Sequence, residues 1–219
     1  LGNFLTIRDL SKKFHPEALK LFVFSTQYRN PLEYSEQAMQ DAKSGLNRLY
    51  DSLAAIDNLK KDPDNSVTPA IGNKDRNKLA SLEERFIQAM DNDFNTAQAL
   101  GHLFEAAKIV NKVISSLGNR QSPGDLELLD STARTISELA AIAGVLKENP
   151  SEFFTRQKEE ILAHIDIESA LIEKLIVQRN EARAKKDWAM SDQIRDRLLG
   201  HGIELKDGTA GTSWDVKRD

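Results

Sequence analysis

The feature that most constrains the fold is a long apolar stripe in the first third of the chain. Ser35 can cap a helix, and apolar residues then recur in alternating steps of three and four: Met39, Ala42, Leu46, Leu49, Leu53 and Ile56. That spacing places all of them on one side of an α-helix. A long helix with one apolar side needs other helices to cover that side, so the stripe predicts a helical bundle.

Three further helical patterns can supply the covering helices. They are marked by Leu79, Leu82, Phe86 and Met90, then by Leu100, Leu103, Phe104, Ala107, Val110, Ile114 and Leu117, then by Leu129, Ala133, Ile136, Leu139, Ala140 and Ala143. Upstream, Pro16 begins a helix that ends before Pro31. Residues 61–73 hold two prolines and several turn formers, which predicts a mobile loop. We therefore expect an antiparallel helical bundle over residues 35–147.

The last third of the chain combines helices with one hairpin. Residues 148–165 lack regular spacing and are interpreted as a connector. Within residues 166–219, two helical patterns precede an alternating segment at 203–205, the turn signal Asp207-Gly208 and a second alternating segment at 212–216. This order predicts a small α+β domain that ends in a β-hairpin. The fold class expected for the whole chain is mainly α.

Composition narrows the functions that such a fold can carry. The chain has no cysteine, and its four histidines are far apart, so we predict no metal site, no cofactor site and no catalytic residue. Asn95 or Asp93 can cap the helix that follows, and the carboxylates of Asp91 and Asp93 are interpreted as caps rather than cation ligands. No apolar run approaches the roughly 20 residues that span a bilayer, so no membrane partner is expected. The net charge of −4 argues against a general, charge-driven nucleic-acid binder.

One local pattern nevertheless suits RNA. A helix that starts near Asp187 places Trp188 and Asp192 on one face, and Arg183, at the end of the preceding helix, can fold back beside them. An indole stacks on an unstacked base, a guanidinium donates to a base edge, and a carboxylate accepts from the amino groups of guanine or cytosine. In the structural alternative, Trp188 packs under the hairpin, and Arg183 with Asp192 forms a surface ion pair worth under about 1 kcal/mol. Trp214 is expected to pack in the core or against the hairpin.

Several segments resemble cysteinyl-tRNA synthetases, in the order in which that family carries them. Residues 1–9, LGNFLTIRD, are similar to the segment that follows the family's Lys-Met-Ser-Lys-Ser loop. Residues 15–32 are similar to its next characteristic stretch, with Lys20 in place of the more usual arginine. Residues 91–100, DNDFNTAQAL, are similar to a signature of its helical bundle, and residues 179–214 resemble its C-terminal anticodon-binding domain.

This resemblance implies a domain order. Residues 1–34 would be a stem-contact region after the Lys-Met-Ser-Lys-Ser loop, residues 35–147 the helical domain named DALR after its Asp-Ala-Leu-Arg motif, and residues 166–219 the anticodon-binding domain. The family's catalytic domain, which uses ATP, Mg²⁺ and Zn²⁺, would lie before Leu1. The resemblance therefore implies that this chain alone cannot charge tRNA.

The resemblance also assigns site residues. It implies that Arg183, Trp188 and Asp192 contact the GCA anticodon of tRNA(Cys), and Lys20 and Arg29 are candidate contacts with the tRNA stem. The expected function is that of the tRNA-binding part of a cytoplasmic, monomeric, ATP-dependent cysteine–tRNA ligase, which positions tRNA for its own catalytic domain. Two alternatives stay open at this point. One is a full ligase of which these residues are one part, and the other is a helical scaffold that binds a partner protein, rather than RNA, through its longest apolar stripe.

Overall fold

The chain folds into two compact units, Leu1–Pro150 (unit 1) and Ser151–Asp219 (unit 2), in the computed structural model. The structure describes residues 6–164, 167, 169–208 and 211–216. Residues 1–5, on which part of the family resemblance rests, lie outside the described residues. The predicted fold class, mainly α with a small α+β part that ends in a hairpin, is confirmed.

Unit 1 is built from helices that cover the predicted apolar stripe. They are α1 (Ile7–Leu10), α2 (Pro16–Phe24), α3 (Glu36–Asp57), α4 (Asn73–Ala80), α5 (Leu82–Asp91), α6 (Thr96–Ser116) and α7 (Pro123–Ile142). The Ser35 hydroxyl caps α3 by accepting a hydrogen bond from Ala38 N at 3.1 Å. Helix α3 packs against α2, α6 and α7, which buries Met39, Leu46, Leu49, Leu53 and Ile56. Each such side chain stabilises the fold by about 1.5–3 kcal/mol relative to an exposed one.

Two details of unit 1 refine the sequence pattern. The helical spacing that begins at Leu79 belongs to two helices, α4 and α5, which are separated at Ser81. The segment predicted as a mobile loop is irregular up to Gly72 and is held against the start of α7, because Asp64 N donates to Gln121 O at 2.9 Å and Ala70 N donates to Asp125 Oδ2 at 2.6 Å. Its mobility stays a prediction.

A buried carboxylate joins three parts of unit 1. Glu17, in the first turn of α2, is only 5% exposed. It accepts hydrogen bonds from Tyr50 Oη in α3 (2.9 Å) and from the backbone N–H groups of Leu146 (2.9 Å) and Lys147 (3.1 Å), beyond the end of α7. Burial raises the pKa of Tyr50, so its hydroxyl stays protonated and donates. These donors offset the cost of removing the carboxylate from water.

Within its described residues, unit 2 combines three helices with one hairpin. Its elements are α8 (Pro150–His164), α9 (Ser169–Ala184), α10 (Trp188–Gly200), β1 (Ile203–Gly208) and β2 (Gly211–Val216), with α8 starting at the last residue of unit 1. The strands are antiparallel, with Ile203 opposite Val216. The core consists of apolar residues from the helices and both strands: Ile167, Ile172, Leu175, Ile176, Ile194, Leu198, Ile203 and Val216. Trp214 packs against this core from β2, as predicted.

Two sequence interpretations of this region need correction. The segment at 148–165, interpreted as a less regular connector, is mostly the helix α8, since Pro150 suits a first helical position and Phe153 is buried one turn further on. The residues taken as the turn signal, Asp207 and Gly208, lie inside β1 and pair with β2. Residues 209–210, between the two strands in sequence, lie outside the described residues.

Candidate nucleic-acid interface

The turn between α9 and α10 sets the position of the predicted base-reading residues. Asp187 N donates to Ala182 O at 2.9 Å and Lys186 N donates to Arg183 O at 3.0 Å, which is the double hydrogen bond of a Schellman helix end. Lys186 adopts the left-handed conformation that this motif requires, with φ 60°. The Asp187 side chain then caps α10, accepting a backbone hydrogen bond at 3.1 Å. Trp188 is therefore the first residue of α10.

Trp188 faces solvent. Its side chain is 59% exposed, which is unusual for so large an aromatic ring. Asp192 lies one turn further along α10 on the same face and is also exposed. The structural alternative, in which Trp188 packs under the hairpin, is therefore wrong. Trp214 packs against the core of unit 2 instead.

Arg183 is anchored to the hairpin. It lies in the last turn of α9, and its Nη1 donates to Asp207 Oδ2 in β1 at 2.6 Å. Asp207 also accepts hydrogen bonds from Nη1 and Nη2 of Arg179, at 2.9 Å each, and from the hydroxyl of Thr212 at 2.8 Å. The ion pair of Arg183 is thus made with Asp207 and not with Asp192. Nε and Nη2 of Arg183 have no partner among the residues that the structure describes, so they can donate to a ligand.

Arg179, Arg183, Asp207 and Thr212 form the Asp207 cluster, in which mutual hydrogen bonds shift the pKa of Asp207 and of Arg179. Hydrogen bonds from Arg179 above all, and then from Thr212 and Arg183, hold the pKa of Asp207 well below its usual range. Arg179 is only 6% exposed, and its pKa is raised mainly by Asp207 and to a smaller extent by the charge of Asp192. Sequence reasoning missed Arg179 and Asp207, although the four-residue spacing of Arg179 and Arg183 on α9 is a signal that both point the same way.

The Asp207 cluster gives a testable pH dependence. We expect Asp207→Asn to lower the free energy of unfolding by about 1–2 kcal/mol at pH 7, below the 3–5 kcal/mol of a fully buried pair because solvent screens this half-exposed carboxylate. A depressed folded pKa means that the stabilisation is fully present above the unfolded value of about 3.9 and is lost as pH falls towards the lower folded value. Urea denaturation followed by near-ultraviolet circular dichroism measures both effects.

The matched control for this variant is Asp196→Asn. Asp196 is an exposed carboxylate of α10 with no partner in the described part of the chain, so its removal should change stability by less than about 0.5 kcal/mol. The difference between Asp207→Asn and the unchanged chain should be constant from pH 5 to 7 and shrink below about pH 4. A difference that stays the same down to pH 2 would show that the charge of Asp207 does not stabilise the hairpin.

The predicted stem contacts, Lys20 and Arg29, belong to unit 1, whereas the residues described above belong to unit 2. Lys20 Nζ donates to Gly144 O at 2.8 Å, beyond the C-terminal end of α7, where a cation is favourable. Arg29 donates twice to Asp93, at 2.6 and 3.1 Å, and Tyr28 Oη donates to the same carboxylate at 2.9 Å. Both cations therefore have contacts within the chain, and their contact with tRNA stays a prediction.

The same contacts correct the interpretation of Asp93. Of the two candidate caps of this helix, Asn95 and Asp93, it is Asn95 that caps α6, by accepting from Gln98 N at 3.0 Å. Asp93 instead bonds Arg29 and Tyr28, and those hydrogen bonds lower its pKa.

Neither a metal site nor a membrane span is found in the described residues. They contain no group of three or more histidine, aspartate and glutamate side chains that could hold a metal ion. His15 caps α2 and lies 3.4 Å from Glu148, and His102 lies 3.2 Å from Arg85. Within the same residues, no helix is long and apolar enough to cross a bilayer.

Three family models match successive parts of the chain. Residues 1–44 match a piece of the class I (C) tRNA synthetase catalytic domain, residues 85–147 match the DALR domain, and residues 168–214 match the cysteinyl-tRNA ligase anticodon-binding domain. The last match contains Arg183, Trp188 and Asp192. The first match extends past residue 34, where the sequence predicted the end of the stem-contact region.

Curated relatives are similar over the whole chain. It is 51% identical over 218 residues to the cysteine–tRNA ligase of Desulfotalea psychrophila, with 100% of this chain and 44% of the relative covered. It is 40% identical to that of Trichlorobacter lovleyi, with 99% and 45% covered, and 39% identical to that of Geobacter sulfurreducens, with 99% and 44% covered. The chain spans less than half the length of the curated relatives that it matches.

Proposed function

The chain belongs to the cysteine–tRNA ligase family, and we propose that it binds tRNA(Cys) and reads the GCA anticodon with Trp188, Asp192 and Arg183. The observation that carries the proposal is the exposed ring of Trp188 at the start of α10, with the exposed Asp192 one turn further along. These residues lie inside the segment that matches the anticodon-binding domain.

Each side chain supplies a different interaction. The Trp188 indole stacks on an unstacked base. Such stacking contributes about 1–3 kcal/mol to the binding free energy, whatever the base. The Asp192 carboxylate accepts from an amino group, which guanine and cytosine of a GCA sequence both offer. Arg183 donates through Nε and Nη2 to base acceptors while Asp207 holds its Nη1. Such an anchored guanidinium loses little conformational freedom when it binds.

We assign the chemistry of the ligase to the part of the protein outside these residues. The proposed parent is a cytoplasmic, monomeric, ATP-dependent cysteine–tRNA ligase, in which this chain positions tRNA. ATP, Mg²⁺ and Zn²⁺ would act in that other part, as the family resemblance implies. No step of aminoacylation is assigned to residues of this chain.

The alternative function, a helical scaffold that binds a partner protein, is not supported, because its proposed binding surface is buried. It required the stripe from Met39 to Ile56 to be available to a partner protein. The stripe is covered by helices of unit 1, and its described leucines are at most 6% exposed. No other observation favours that function.

Titration of anticodon hairpins tests the proposal. We expect a hairpin with GCA to bind more tightly than one in which a single anticodon base is changed, and Asp192→Asn to reduce that preference by about tenfold, since a base-reading contact is worth about 1–3 kcal/mol. Glu204→Gln removes another exposed carboxylate of unit 2 and should leave the preference unchanged. Equal affinity of the unchanged chain for both hairpins would overturn the proposal.

A further inference from the structure

A groove between α4 and α6 of unit 1 concentrates positive charge. It has a volume of about 450 Å³ and is lined by two lysines from each helix. Lys74 and Lys78 are four residues apart on α4, and Lys108 and Lys112 are four residues apart on α6, so each pair lies on one face of its helix. Two rows of ammonium groups therefore border the groove.

The charges of this lysine groove do not cancel. Lys112 pairs with Asp75 at 3.0 Å and Lys78 pairs with Glu105, which leaves four positive and two negative side chains, or an excess of two positive charges. The whole chain, by contrast, has a net charge of −4. Lys74 and Lys108 are exposed and have no hydrogen-bond or ion-pair partner among the described residues. Those two ammonium groups are available to an anion.

The backbone adds donors on the same side. Gly72, which lines the groove, is the N-cap residue of α4, and no side chain caps that helix end. The N–H groups of the first turn, which have no acceptor inside a helix, can thus serve an outside acceptor. The one large apolar side chain in the lining, Ile109, is 7% exposed. The groove accordingly offers donors and positive charge rather than an apolar surface for a protein segment.

We propose that the lysine groove binds phosphate groups of the tRNA backbone, a second RNA contact besides the base-reading residues of unit 2. Lys74 and Lys108 contact phosphate oxygens, while Asp75 and Glu105 hold the other two lysines in place. The inference rests on the proposed function, because it requires that the chain binds tRNA. Phosphate contacts carry no sequence information, so the groove contributes affinity and salt dependence but no anticodon preference.

The double variant Lys74→Gln/Lys108→Gln tests the groove. Binding of a full-length tRNA(Cys) transcript to the intact chain is measured at several salt concentrations. We expect affinity about tenfold lower at 0.1 M salt and a salt slope lower by about two, one for each lost phosphate contact. The ratio of affinities for GCA and altered hairpins should not change. Far-ultraviolet circular dichroism confirms that the variant is folded.

A control of equal charge is Lys60→Gln/Arg134→Gln. Lys60 and Arg134 are exposed, lie outside the groove in unit 1 and have no partner in the described parts of the chain. This control should retain most of the affinity and the salt slope. An equal loss in both double variants, or an unchanged slope in Lys74→Gln/Lys108→Gln, would overturn the phosphate site. The anticodon proposal is tested separately: it fails if the GCA hairpin and the hairpins with one changed anticodon base bind the unchanged chain with equal affinity.

Discussion

Trp188→Ala is expected to weaken binding of a GCA anticodon hairpin by about 1–3 kcal/mol, or about five- to 150-fold in the dissociation constant. The ring is 59% exposed, so its removal leaves the core of unit 2 intact. Alanine also favours the helix in which residue 188 lies. The lost affinity should therefore come from base stacking. Fluorescence anisotropy of a dye-labelled hairpin, titrated with the folded variant, measures it.

The control for this prediction is Met190→Ala. Met190 is 48% exposed and lies two residues further along α10, so it points away from the face of Trp188. Its truncation should change hairpin affinity by less than twofold. Trp188→Phe keeps an aromatic ring and should recover part of the affinity that Trp188→Ala loses. If all three variants bind as the unchanged chain does, Trp188 does not stack on the anticodon.

Glu17→Ala should lower the free energy of unfolding of unit 1 by about 2–4 kcal/mol. The substitution removes the acceptor shared by Tyr50 Oη, Leu146 N and Lys147 N. Tyr50 is fully buried and Leu146 nearly so, which leaves their donors without water as a replacement. Since whole domains are stable by about 5–15 kcal/mol, this is a large fraction. Urea denaturation followed by far-ultraviolet circular dichroism gives the value.

Glu36→Ala is the matched control. Glu36 is also a glutamate in the first turn of a helix, α3, but it is exposed. Its removal costs at most the interaction with the helix dipole, about 0.3–1 kcal/mol. Similar losses in the two variants would mean that the buried hydrogen bonds of Glu17 contribute little.

Elements whose signals are local were predictable from the sequence. The apolar stripe and the Ser35 cap predicted α3, and the alternation of apolar and polar residues predicted most of the hairpin. Each of these patterns involves only near neighbours along the chain. Helix α8 was missed because its buried residues are sparse among charged ones. The break at Ser81 was missed because the apolar spacing continues across it.

For the candidate site, the sequence predicted which residues share a face but not their surroundings. Trp188 and Asp192 lie on one face of α10, as the spacing required. Whether Trp188 was buried depended on the packing of the whole of unit 2. The partner of Arg183, Asp207, is 24 residues away along the chain and meets it only when the hairpin packs beside α9. No local pattern contains that information.

Both tryptophans of the chain lie in unit 2, in opposite environments. Trp214 is half-buried, donates from Nε1 to Glu173 at 2.6 Å and has the Lys158 ammonium 3.7 Å from its ring centroid, while Trp188 faces water. Their emission spectra should therefore differ, with Trp188 emitting at the longer wavelength. A stacked base would quench Trp188, whereas Trp214 would respond when the hairpin unfolds. The protein thus carries an unlabelled optical reporter that distinguishes RNA binding from loss of structure.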